Sequence, residues 1–205
     1  MNKLIRNING NWIGLLCLGM ALMMGGCEAE EPIKENTPEL ITSLTLAFVP
    51  EGGGTTVTAT ASDPDGDGVK DIAVDGAIYL KAGVTYTLSL SLINELAEKS
   101  SPEYDITEEV EEEGGEHMFF YGWTGNVFAD PAGNGNIGAR EGAVNYQDED
   151  AQGLPIGIVT KWTAGTPASG TFRIVLKHQP ELKTATSGAD VGETDLDIEF
   201  EVNVN

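Results

Sequence analysis

Asp63, Asp65, Asp67 and Asp71 occupy the first, third, fifth and ninth places of Asp63-Pro64-Asp65-Gly66-Asp67-Gly68-Val69-Lys70-Asp71, and Gly68 holds the sixth. Carboxylates at alternate places can converge on one calcium ion, while a glycine in sixth place permits the sharp turn between them. Such loops are completed by a bidentate acid in twelfth place. Here Val74 stands there and Asp75 follows one residue late, so the expected affinity is low, about millimolar as in extracellular modules. Asp-Gly pairs favour turns in their own right, and the same residues also read as a solvated turn between strands.

A second group of donors is Glu108, Glu109, Glu111, Glu112, Glu113, Glu116 and His117, followed by Met118-Phe119-Phe120-Tyr121. The other histidine, His178, ends the alternating apolar series Phe172, Ile174, Leu176. Imidazole beside carboxylate suits zinc or a similar divalent ion. If the two strand ends meet, Glu113, Glu116, His117 and His178 form a transition-metal ligand set. The competing reading is an acidic solvated loop with one half-buried and one surface histidine.

Other patterns carry less. Gly133-Asn-Gly135-Asn-Ile-Gly138 has the spacing of a dinucleotide fingerprint, but Asp130-Pro131 precedes it and Arg140-Glu141-Gly142 follows. Without a strand before and a helix after, no helix N-terminus receives a pyrophosphate, and the segment reads as a loop. There is no Gly-x-Ser-x-Gly and no His-Glu-x-x-His, so the chain is expected to be non-catalytic. Trp123, Trp162, Tyr121 and Tyr146 could stack on a sugar, although such residues more often pack a core.

The donors need a scaffold, and from Leu40 onward the apolar period is two. Leu44, Leu46 and Phe48 alternate with smaller or polar residues up to Pro50; Gly52-Gly53-Gly54 turns; Thr55 to Ala61 returns. Ala77 to Lys81 and Val84 to Ile93 are expected to pair across Ala82-Gly83, and residues 94–101 to form a helical turn or two before Pro102. His117 to Trp123, Ala143 to Tyr146, Ile156 to Trp162, Gly170 to His178 and Asp195 to Val204 bring the expected strands to about nine. No run of amphipathic helix follows residue 40, so the expectation is an all-β fold, a single Ig-like or Greek-key β-sandwich over residues 40–205.

Ahead of it, Lys3 and Arg6 precede an apolar run from Trp12 to Met24 that ends in Met24-Gly25-Gly26-Cys27. The run is too short to span a bilayer and has the length of a signal-peptide core. Two small residues before a cysteine match a bacterial lipoprotein cleavage site, whereas Cys17 follows the bulky Leu16. Residues 1–26 are therefore expected to be a lipoprotein signal peptide, with Cys27 lipidated. Residues 27–39, polar and Pro-containing, form a flexible acidic tether. Cleavage and acylation leave no thiol for a disulfide.

With 33 acidic residues against 11 basic and a net charge of −22, the surface repels phosphate backbones and anionic lipid. Nucleic acid is excluded as a partner, and the acyl chain is left as the membrane attachment.

Several segments resemble small outer-membrane lipoproteins of the Bacteroidota: Ser43-Leu44-Thr45-Leu46 with its glycine turn, Asp63 to Gly68, Thr85-Tyr86-Thr87, Ile93-Asn94-Glu95, Asp105 through Glu113, Glu116-His117 and Lys177-His178-Gln179-Pro180. Proteins of that group carry the label "type 1 periplasmic binding fold" and are encoded near TonB-dependent receptors. The label implies repeated β-α-β units, which the period-two pattern does not supply. The resemblance implies an accessory, cation- or ligand-binding lipoprotein at the outer membrane, periplasmic or surface-exposed, with a TonB-dependent receptor as partner. A glycan- or protein-binding adhesion module is the alternative.

Overall fold

The computed structural model describes residues 39–66 and 72–205, all within one compact unit, Thr37–Asn205. Strand makes up 46% and helix 6% of it, so the chain folds as an all-β sandwich, and the described residues do not form the helix layers of a periplasmic binding fold. Eleven strands are present among the described residues: β1 (Ser43–Pro50), β2 (Val57–Ser62), β3 (Ala73–Asp75), β4 (Ile78–Leu80), β5 (Thr85–Ile93), β6 (His117–Trp123), β7 (Phe128–Asp130), β8 (Asn145–Tyr146), β9 (Val159–Ala164), β10 (Ala168–His178) and β11 (Glu193–Val204). One α-helix, α1 (Ile106–Glu112), lies between β5 and β6, preceded by a 3-10 turn over Pro102–Tyr104. Among the described residues no helix is long and apolar enough to cross a membrane.

The larger sheet runs β3-β2-β1-β5-β9-β7, with β8 also on β9, and the smaller runs β4-β11-β10-β6. Period two sets their facing surfaces. Across β1 and β5, Leu44 lies opposite Leu92, Leu46 opposite Leu90 and Phe48 opposite Leu88. In the smaller sheet Phe172, Ile174 and Leu176 are flanked by Trp123, Tyr121 and Phe119 on one side and by Phe200, Ile198 and Leu196 on the other. All of these side chains are buried in one core. Trp162 meets the Phe172 ring edge-on at 5.0 Å, and Tyr121 stacks on Phe172 at 5.6 Å.

Two expectations are corrected. β4 and β5 do not form a hairpin. β5 has β1 on one edge and β9 on the other, which leaves β4 no edge there, and it pairs in parallel with β11 instead. Residues 94–101 make hydrogen-bonded turns, Ala97 N–H to Asn94 O and Ser101 N–H to Glu98 O, while the helix falls in the glutamate block. The Gly/Asn segment around Gly135 is a loop that covers the outer edge of β6. Asn136 Oδ1 accepts from Tyr121 N–H at 2.9 Å, and Asn136 N–H donates to Tyr121 O at 2.8 Å. A Cβ at Gly135 would sit 1.9 Å from Tyr121 O, so only glycine allows this approach, which shields an otherwise open edge.

Candidate metal centre

β6 and β10 run antiparallel in a register that sets His117 opposite His178. Both share the inward face of Phe119 and Leu176 and continue it past the end of the apolar core. The imidazole rings stack with centroids 4.5 Å apart and planes 7° from parallel. His117 is wholly buried and His178 nearly so.

Helix α1 brings the carboxylates. Asp105 caps it, accepting from Thr107 N–H at 3.1 Å and Glu108 N–H at 3.3 Å, and Glu108 and Glu109 suit the positive end of a helix. Ile106 and Val110, four apart, bury its inner face. The last turn holds no basic residue: Glu111, Glu112 and the cap Glu113 crowd the end where free carbonyls already favour a cation. Glu113 O then accepts from Glu116 N–H at 2.8 Å and approaches His117 Nδ1 at 3.3 Å, and the chain turns into β6 with both acids beside the histidines.

The donor atoms of Glu113, Glu116 and His178 lie within 4.8 Å of one another, and so do those of Glu39, Glu109 and Glu113. Glu116 Oε2 is 3.4 Å from His178 Nε2, and the buried Nδ1 of His178 has no hydrogen-bond partner. One carboxylate pair and one imidazole within this radius fit a divalent ion with bonds of about 2.0–2.2 Å after small side-chain rotations. His117 joins this cluster by stacking rather than by ligation. A ring nitrogen's lone pair lies in the ring plane, and near-parallel planes leave no point from which one ion can take a lone pair from both rings as they stand.

His117 instead turns Nε2 toward two other acids, Asp195 Oδ2 and Glu39 Oε1, each at 3.8 Å. Asp195 reaches this position through a bulge. Leu176 pairs with Leu196 but Lys177 pairs with Thr194, so Asp195 is the extra residue on β11, and a bulge re-aims the side chain it carries. Its side chain is fully buried and Oδ1 accepts from Glu39 N–H at 3.4 Å. Burial, reinforced by the nearby Glu39 charge, raises the Asp195 carboxyl to about 7, against the opposing Glu39 N–H bond and the Lys177 charge. Glu39 and Asp195 had no sequence signature as part of this site. One reads as tether and the other as an ordinary strand residue.

Of the calcium candidates, Asp67 and Asp71 lie outside the described residues, as does Cys27. Asp63 is buried. Its Oδ1 accepts from Gly66 N–H at 3.2 Å and its own N–H donates to Thr42 O at 2.8 Å. Loss of hydration, then the Asp65 carboxyl beside it, raise the Asp63 carboxyl above its ordinary range. Asp65 is exposed. Of the aromatic residues considered for sugar stacking, Tyr121, Trp123 and Trp162 are in the core and Tyr146 is half-buried.

No protein-family model, curated protein or solved structure matches this chain.

Proposed function

We propose that this chain is a lipid-anchored outer-membrane protein whose sandwich binds a divalent cation at its histidine end, without catalysis, as an accessory to TonB-dependent uptake. The observation that carries the cation reading is the convergence of Glu113, Glu116 and His178 within 4.8 Å. One nitrogen and two carboxylate ligands favour zinc or manganese over magnesium. Asp63, Asp65, Asp67 and Asp71 are proposed as a separate, weak calcium loop. The link to a receptor rests on the resemblance to the Bacteroidota lipoproteins.

Titration calorimetry tests both ion sites. Zinc should bind the wild type, and His178→Ala or Glu116→Gln should weaken it at least tenfold, since each removes a ligand. Asp65→Asn should leave zinc untouched and abolish a millimolar calcium response. Zinc affinity that survives His178→Ala would sink the assignment.

The anchor is tested separately. Cys27→Ser removes the thiol that would be acylated, so the variant should move from the detergent phase to the aqueous phase on phase separation. Intact-mass data that still include residues 1–26 in the wild type would refute the processing.

A further inference from the structure

The outward faces of the two sheets differ in charge. On β11, Asp197, Glu199 and Glu201 alternate with the buried Ile198, Phe200 and Val202, and so point away from the core. On the larger sheet the same alternation turns only uncharged side chains outward along β1, β2 and β5. The register sets Thr60, Thr45 and Ser91 in one row across these strands, and Thr58, Ala47 and Ser89 in the next. Charge returns at the rim, with Asp75 accepting from Thr60 Oγ1 at 3.5 Å and Lys161 neutralised by Glu51 at 2.6 Å.

In a chain with 33 acidic residues and a net charge of −22, a neutral face chooses its partner by what it lacks. A basic partner gains nothing there and is offered the β11 face instead. Two copies of the chain repel wherever their acids meet, and an interface that buried those acids would leave carboxylates unpaired. Packed through the larger sheet, the copies keep the β11 acids on their far sides. A hydroxyl both donates and accepts, so a row of Thr and Ser is its own complement, and Ala47 with the threonine methyls adds apolar area. The five strands from β3 to β9, about 4.8 Å apart and roughly 20 Å long, offer about 500 Å2 per copy. Two copies together reach about 1,000 Å2, the lower limit of a specific interface.

We propose that the outward face of the larger sheet is the surface through which two copies of this chain associate, sheet against sheet. The contact is weak and reversible. Salt strengthens it, because screening reduces the repulsion between two net charges of −22 without touching an uncharged contact.

Sedimentation equilibrium of the whole chain in density-matched detergent tests this. The wild type should show a monomer–dimer equilibrium with a Kd of about 10–100 µM in about 0.5 M NaCl, and a weaker one at low salt. Thr45→Glu sets like charges at the centre of the face and should weaken the dimer about tenfold or more. Ser91→Glu, at an exposed position, should do the same without disturbing the fold, whereas Glu201→Gln on the other sheet should leave the dimer intact. A wild type that stays monomeric at about 200 µM overturns the proposal, as does a dimer that both glutamate substitutions leave unchanged or that weakens as salt rises. Retardation of the monomer in gels containing neutral dextran, lost in Ser91→Glu, would give the face to a glycan and overturn it as well.

Discussion

Asp150→Asn is expected to destabilise the domain by about 3–5 kcal/mol, the largest effect foreseen for any one residue outside the core. Asp150 and Lys183 form an ion pair at 2.8 Å with side chains only 2% and 1% exposed. Lys183 Nζ also donates to Gly114 O, and Asp150 Oδ1 accepts from Gln152 and Leu154 N–H, both at 2.9 Å. The two partners gain unequally. Burial pushes Asp150 up, but the Lys183 bond and the two amides more than offset it, so its carboxyl sits below the ordinary range. Burial lowers Lys183, and Asp150 recovers only part of that. Buried pairs of this kind gain little over a neutral core, and the penalty comes from breaking it, because Asn leaves the ammonium buried without its paired carboxylate, with only the Asp148 charge still favouring it. Urea unfolding at pH 7 should show the loss as a lower midpoint with an unchanged slope. Adding Lys183→Met to Asp150→Asn should restore most of the stability. A double variant as unstable as the single one would mean that the charges themselves, not the orphaned ammonium, hold the loop.

A pH profile with the slope opposite to ordinary acid denaturation is expected from Asp195. Its carboxyl ionises at about 7 in the fold and near 4 in the unfolded chain. Between those values the native state holds a proton that the unfolded state has released, so stability falls as pH rises through the window and levels off above it. The slope limit is about 1.4 kcal/mol per pH unit, and across the window the loss approaches roughly 4 kcal/mol. The acidic surface adds a trend of the same sign, so the informative comparison is Asp195→Asn, which keeps an acceptor for Glu39 N–H but cannot ionise. It should match the wild type near pH 4 and exceed it near pH 8, by a melting-temperature difference on the order of 10 °C. Parallel profiles for the two proteins would assign the slope to the surface charge and remove Asp195 as its source.

Most of the sandwich was legible because one face of each long strand is buried: Leu44, Leu46 and Phe48 in β1, or Phe172, Ile174 and Leu176 in β10, show the alternation directly. β3 (Ala-Val-Asp) and β7 (Phe-Ala-Asp) were not, since each holds a single large apolar residue, which sets no alternation. Helix α1 left a signal that its acidity obscured. Asp105 lies three residues before Glu108, a capping pattern, and Ile106 and Val110 have helical spacing. Pairing was the least accessible property. The neighbours of β5 are fixed by which strands reach its edges first, which no local pattern records. At the site, the histidines sat at strand ends as their alternation implied, but their opposition depends on the β6–β10 register, 61 residues apart in the chain. The bulge that turns Asp195 inward changes one residue's facing without altering composition, and so leaves no trace to read.

The place of β11 bears on how the protein is made. It lies inside the smaller sheet, between β10 and β4, and supplies Val202 and Val204 opposite Ile78 and Leu80. During synthesis, residues 78–80 wait for more than a hundred later residues before their partner exists. Closing so long a loop is slow and entropically unfavourable. The half-made chain therefore lacks a finished sandwich, and the smaller sheet can close only once residue 204 has been made.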